Sequence, residues 1–462
     1  MKTIHSITLT GICFSTLLTG ACKSNKKQQS DASKQNIIFI LADDMGYGDL
    51  SCYGNKYIQT PNIDKLADTG TRFTQCYAGS AISSPSRCAL MTGKNTGQTT
   101  IRDNFCQAGG IEGLKNGNTI RRMHLLESDT TIATVLSAAG YQTCLINKWH
   151  LDGFNPEATP LNRGFDEFYG WLISTAHSND PYYYPYYRFN NDTLIYIEEN
   201  RNDLHVKHNT DISTDEAIQF INRNKSNPFF LYLAYDAPHE PYIIDETVWY
   251  DETDWDINTR RYASLITHMD RAIGRVMDEL EKLDLRENTL IIFASDNGAA
   301  VQAPLEELGC NGTFRGRKGL LYEGGIRVPF IVNQPGKIPA QVLNNLIYFP
   351  DVLPTLATFA NAKIPNGING INILPLFYGE QMDTDNRLLY WEFTGKQRAA
   401  RQGDWKAVSV KKDSPLELYN LKEDITESNN LAESHPEIVK WFEEEMRKMH
   451  MPSPNWPLEG EK

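Results

Sequence analysis

Apolar residues in this chain gather in short unbroken runs rather than in strict alternation with polar ones. Ile37 to Leu41, Phe229 to Leu233 and Leu290 to Phe293 are continuous, and Tyr141 to Ile146 is a more mixed version with a shorter unbroken part, Cys144 to Ile146. Such runs predict strands buried on both faces, as in a parallel sheet covered by helices. Elsewhere the period changes. Tyr262, Leu265, Ile266, Met269, Ile273, Val276, Met277 and Leu280 recur at spacings of three and four, which predicts one long helix with a single apolar stripe. Alternation of the two patterns predicts a doubly wound α/β domain over residues 36–384. After about Asp385 the texture shifts to short strand-like pieces at 388–393, 397–401, 405–410 and 417–421, followed by a helical pattern from Pro436 to Met449. Residues 385–462 are therefore expected to form a small antiparallel sheet with a helix.

Each unbroken run ends in polar residues. The first leads to Asp43 and Asp44, the second to Asp236, Ala237, Pro238 and His239, the third to Asp296 and Asn297, and the shorter one to Asn147, Lys148, Trp149 and His150. Open α/β sheets bind ligands off the carboxyl ends of their strands, so these four ends are expected to converge. Asp43, Asp44, Asp296 and Asn297 supply hard oxygen donors, which suit Ca²⁺ or Mg²⁺ better than zinc. Read singly, each pair is an ordinary strand-end cap.

Ser83-Ser84-Pro85-Ser86-Arg87, continuing to Leu90, Thr92 and Gly93, carries a further signal. Pro85 suits a first helical position, where its missing N–H costs nothing. The helix N-terminus would then present free amides to an anion over Ser83, with Arg87 one turn away as a fixed positive fork. This is an expected oxyanion site.

The pattern S-x-P-S-R-x-x-L-x-T-G resembles the signature of the type I sulfatases. Lys148 and His150 fit that family's Y-x-T-x-x-x-G-K-W-H-x-G, with Asn147 and Asp152 in place of its two glycines. Asn tolerates left-handed backbone better than most residues, whereas Asp152 adds a carboxylate. Ala-Pro-His239-Glu-Pro, the Lys318 segment and Tyr322-Glu323-Gly324-Gly325-Ile326-Arg327 resemble further family motifs. Glu323 and Arg327 are expected to be a structural pair. The likeness runs from Asn36 to about Ala432 with the motifs in order.

That resemblance implies an alkaline-phosphatase-like mixed sheet with helices on both faces. It implies that Ser83 is oxidised to formylglycine (3-oxoalanine) by a serine-competent maturing enzyme. One Ca²⁺ would be held by Asp43, Asp44, Asp296, Asn297 and the modified residue 83. In the implied mechanism the hydrated aldehyde attacks sulfur, with Asp296 the expected proton acceptor. Lys148, Lys318 and the ion hold the sulfate oxygens, and Arg87 steadies the hydrate. His239 protonates the leaving sugar oxygen, and His150 takes the proton that lets the aldehyde re-form. Ile101-Arg102-Asp103-Asn104 and Ala176-His177 are similar to stretches of galactose and N-acetylgalactosamine sulfatases, with 6-O cleavage favoured slightly over 4-O. Arg102 and His177 are accordingly expected to touch sugar hydroxyls. A phosphodiester or phosphonate hydrolase, or a glycan-binding lipoprotein with an unmodified serine, are the alternative readings.

Composition narrows the class. The formal charge is −13 over 462 residues, which argues against a nucleic-acid binder and requires any anionic substrate to find a local basic cleft. Lys2, the apolar stretch Ile7 to Leu18 and Thr19-Gly20-Ala21 read as an export signal over residues 1–21, too short to span a bilayer. Cys22 follows as in a lipobox, with its Leu at 18 one place early, and residues 22–35 read as a polar tether. The expected product is a bacterial lipoprotein anchored through a lipid on Cys22, in the periplasm or at the outer membrane. Six cysteines remain after Cys13 and Cys22, with no CxxC and no metal-ligand spacing, so their pairing is open.

Overall fold

A computed structural model describes residues 34–462 except 107, 116, 173–181, 394–396, 412–413 and 458–462. Within it residues 34–462 form one compact unit. Cys22, His177, the signal and most of the tether lie outside the described residues.

Four strands make the parallel centre of a large mixed sheet: Thr289–Ser295, Asn36–Ala42, Phe229–Ala234 and Gln142–Lys148, side by side in that order. Their unbroken apolar character has the expected cause. Alternate residues feed two separate cores, Ile38, Ile40, Leu231 and Phe293 on one face and Ile37, Phe39, Phe230 and Ile292 on the other. At about 25 cal/mol per Å² of apolar surface removed from water, burial on both faces stabilises these strands at the centre of the sheet. Antiparallel Arg327–Asn333 and Thr71–Tyr77 extend one side, making the sheet mixed.

The striped helix is Ile257–Lys282, and all eight stripe residues are buried against the first face. Asp256 caps it, accepting from the Asn258 and Thr259 amides at 2.8 and 3.2 Å. A second sheet runs Leu389–Phe393, Gln397–Gln402, Trp405–Ser409 and Glu417–Asn420, all antiparallel. Trp391, Ala399 and Val408 face Tyr77 and Leu321 of the large sheet's surroundings, while Tyr390, Ala400 and Leu418 take Phe442 and Met446 of the helix Pro436–Met449. Among the described residues no helix is long and apolar enough to cross a membrane.

Candidate active site

The carboxyl ends of the central strands meet. Asp43 N–H donates to Ala237 O and Asp296 N–H to Ala42 O, both at 3.1 Å, so three strand exits are tied by backbone bonds before side chains are considered. Asp44 N–H then donates to Asp296 Oδ1 at 3.1 Å, and Asp44 takes a left-handed φ of 65°. That conformation is costly for a non-glycine residue, a feature that concentrates at functional sites. Gly298 lets the Asp296–Asn297 exit pack tightly, because a Cβ there would lie 1.8 Å from Gly324 O.

The Ser83 helix spans Ser83–Thr92, so it starts two residues earlier than expected and Pro85 is its third residue. The correction is harmless, since none of the first four helical N–H groups has an intrahelical partner. Gly93 closes the helix at φ 69°. Every residue of this helix is buried, although its amphipathic pattern is weak: Cys88, Leu90 and Met91 join the core on the second face of the large sheet, and the segments 349–351, 352–359 and 132–138 pack around it. Ser86 Oγ donates to Asp296 O at 2.5 Å, and the Ser84 amide donates to Asn104 Oδ1 at 3.2 Å.

Ser83 Oγ is thereby placed between two carboxylates, 2.7 Å from Asp296 Oδ2 and 3.1 Å from Asp43 Oδ1. Arg87 reaches both, at 3.0 and 3.5 Å, with no exposure to solvent. Lys148 Nζ pairs with Asp43, and Lys318 Nζ lies 2.6 Å from Asp44 Oδ2. Burial works against ionising Asp43, but the Lys148, His239, Arg87 and Lys318 charges outweigh it and hold the carboxyl well below its usual range. Asp296 is pushed the other way by burial and by the neighbouring Asp43. Carboxylates sharing one site split in this manner. Asn297 donates through Nδ2 to Asp44 Oδ1 at 2.8 Å, while its buried Oδ1 has no partner.

Two histidines flank the cluster in different surroundings. His239 Nδ1 donates to Glu240 O, and Nε2 lies 3.5 Å from Asp44 Oδ2, with about a fifth of the side chain exposed. His150 is buried at φ 60°, and Ser84 Oγ donates to its carbonyl at 2.9 Å. Burial, reinforced by the Lys148, Arg122 and Arg87 charges, keeps its imidazole neutral far below the usual range. Arg122 Nη1 lies 3.3 Å from His150 Nε2. A guanidinium only donates, so the ring proton is on Nδ1. Asn147 does adopt the left-handed conformation, φ 79°.

The structure thus brings together Asp43, Asp44, Ser83, Arg87, Lys148, His150, His239, Asp296, Asn297 and Lys318. Arg102 is a correction. It is 3% exposed, and its Nε, Nη1 and Nη2 are spent on Thr99 O, Glu392 Oε1 and Met451 O. Buried, and with a donor on each nitrogen held by the protein, its guanidinium is engaged in packing rather than offered to a sugar. Tyr182, Trp171 and Arg122 were missed. Tyr182 stacks on His239 at 5.2 Å and directs its hydroxyl to Asp43 Oδ2 at 3.4 Å, while the Lys148 ammonium sits over the Trp171 ring. Of the three, only Tyr182 stands in a stretch with a sequence signal, the aromatic-rich run Tyr182-Tyr183-Tyr184-Pro185.

Comparison with known proteins agrees with this geometry. Residues 35–362 match the family model described as Sulfatase, and 309–451 match one described as N-sulphoglucosamine sulphohydrolase, C-terminal. The human N-acetylgalactosamine-6-sulfatase is 34% identical over 366 residues, 75% of this chain and 67% of that protein. An N-acetylgalactosamine-6-O-sulfatase of Bacteroides thetaiotaomicron is 30% identical, spanning 93% of this chain and 96% of its own. Among solved structures, Ps i-CgsB in complex with k-i-k-neocarrahexaose superposes with a TM-score of 0.78 at 30% identity, covering 93% of this chain and 96% of that one.

Proposed function

The chain belongs to the sulfatase family, and from that premise we propose that it removes a sulfate from galactose or N-acetylgalactosamine units of a glycan, 6-O in preference to 4-O, through a formylglycine made from Ser83. It is a sulfuric ester hydrolase acting on carbohydrate. The names of its relatives support the sugar, and one geometric observation carries the chemistry: Ser83 Oγ faces both Asp43 and Asp296.

A serine has one hydroxyl hydrogen and can satisfy only one of those carboxylates at a time. The hydrate of formylglycine has two hydroxyls and fits the pair, so the residues present suit the modified group. The ion fits as well. Asp43, Asp44 and Asp296 with the unpartnered Asn297 Oδ1 form a hard, all-oxygen donor set of the kind calcium takes. His239 also falls within ligand distance of Asp43 and Asp44, but its nitrogen is a poor match for so hard a cation. When bound, calcium would neutralise sulfate oxygens and acidify a hydroxyl on residue 83. The modified residue would supply a nucleophile that can be regenerated.

The chain's own residues account for charge and protons. Lys148 and Lys318 stand where anionic oxygens would replace their present carboxylate partners. Arg87 fixes the carboxylates around residue 83. Asp296 Oδ2, 2.7 Å from Ser83 Oγ, accepts the proton from the oxygen on residue 83. His239 holds a fixed proton on Nδ1, which leaves Nε2 at the cleft to carry the mobile proton to the departing sugar oxygen. His150, kept neutral, is the base for the second hydroxyl on residue 83; its lone pair on Nε2 accepts from Arg122, so that contact must yield when it takes the proton. Export and lipidation at Cys22, with anchoring in the periplasm or at the outer membrane, complete the proposal, as does a maturing enzyme competent for serine.

Sulfate release from 6- and 4-sulfated N-acetylgalactosamine and galactose tests it. The fastest turnover is expected on a 6-sulfate. Turnover confined to aryl sulfates, or to phosphodiesters, would overturn the reading.

A further inference from the structure

Beside the residues that face the reacting sulfate lies a second, smaller gathering of positive charge. The hairpin Ile111–Lys115 and Asn118–Arg122 is held over the site by close packing. At Gly113 a Cβ would meet the Phe154 ring at 2.6 Å, so the hairpin lies close against that ring. Its two ends carry Lys115 and Arg122 onto one aromatic ring. The ammonium lies 5.2 Å and the guanidinium 4.5 Å from the centroid of Phe105. Phe105 follows Asn104, whose Oδ1 caps Ser84, so the ring is tied to the start of the Ser83 helix.

Among the described residues, no ion pair joins Lys115 or Arg122 to a carboxylate. Arg122 is 6% exposed, yet its Nε has no partner, and Nη1 spends a hydrogen bond on His150. Glu240 attracts Lys115, and Asp152 and Asp103 attract Arg122, through space. Burial and the charges of Arg122 and Lys318 hold Lys115 below the usual ammonium range. Burial does the same to Arg122, which is lowered to about 10. In a protein of net charge −13, a buried guanidinium such as that of Arg122, next to a substrate cleft, is costly unless an anion arrives with the ligand.

We propose that Lys115 and Arg122, gathered on Phe105 beside His150, form a second anion subsite that takes a further anionic group of the substrate, a carboxylate or a second sulfate ester. This rests on the reading of the site as a carbohydrate sulfatase and adds a preference: saccharides with two anionic groups bind better than those with one. The mostly buried guanidinium gives the directed, two-pronged contact, and the more exposed ammonium adds charge.

Binding is measured by calorimetry on Ser83→Ala protein, which holds ligand without turnover. The probes are N-acetylgalactosamine 6-sulfate, its 4,6-disulfate, and the 6-sulfate linked to glucuronic acid. Unaltered Lys115 and Arg122 should favour at least one of the dianionic probes by roughly tenfold, and the two arms separate sulfate from carboxylate recognition. Lys115→Ala should reduce that preference about fivefold while leaving the monosulfated sugar, and its hydrolysis by otherwise wild-type enzyme, unchanged. Adding Arg122→Gln should abolish it. Inorganic sulfate at saturation should fill two places in the parent and one in the double variant, whichever sugar is the substrate. Equal affinity for all three saccharides, or a single sulfate place in the parent, would overturn the subsite. Loss of hydrolysis with this binding pattern intact would instead fault the proposed function.

Discussion

Lys406 Nζ lies 2.9 Å from Glu323 Oε1, and neither side chain is exposed to solvent. The bond joins the second sheet to the Glu323-Gly324-Gly325 turn, against which the Asp296–Asn297 exit packs. Lys406 also reaches Glu427 at 2.8 Å, Arg327 reaches Glu323 at 3.1 Å, and Tyr77 donates to Glu323 Oε2 at 2.6 Å. Glu323 and Arg327 are thus the structural pair expected from the sequence. Burial opposes ionisation of Glu323, but Lys406, Arg327 and Arg401 outweigh it and hold its carboxyl at about 2.

Lys406→Met is predicted to destabilise the fold by about 3–5 kcal/mol, because it strands two buried carboxylates. Denaturant unfolding of the variant measures this, and a change under 1 kcal/mol would show that the network is not what joins the sheets.

Much of this arrangement was legible in the sequence. The apolar runs gave the central strands because double-sided burial forbids polar interruptions, and their polar ends gave the site because strand exits in a parallel sheet point one way. Arg102 misled, since a short motif cannot reveal that Glu392, 290 positions later, claims its guanidinium. Arg122 left no trace, because only the hairpin's packing on Phe154 brings it to His150. Pro85 fixed the presence of a helix start and not its first residue, as any of the first turn's positions tolerates a missing N–H.

Asp296→Ala should lose both bound calcium and turnover, since Asp296 contacts Ser83, Arg87 and the Asp44 amide. Elemental analysis of parent and variant checks it. Zinc in the parent, or full activity without any ion, would contradict the donor set.

His239→Ala should cost about 10²- to 10⁴-fold on a sulfated sugar, where the alkoxide needs its proton. On a nitrophenyl sulfate, whose leaving group departs unaided, the loss should be much smaller. His150→Ala should slow both substrates alike, with a burst followed by stalling. Equal losses for His239→Ala on both substrates would remove it from the acid role.

Ser83→Ala should abolish turnover, and Ser83→Cys should restore it in a host whose maturing enzyme modifies only cysteine. An inactive Ser83→Cys protein whose cysteine is shown to be converted would contradict the assignment.

The central claim is that the serine between Asp43 and Asp296 is the precursor of the nucleophile. Mass spectrometry of the peptide containing residue 83, taken from a sample whose sulfate release has been measured, tests it most directly. The account predicts a mass lower by two hydrogens, in a fraction that rises and falls with activity. Full activity from protein whose residue 83 is entirely unmodified serine would contradict it.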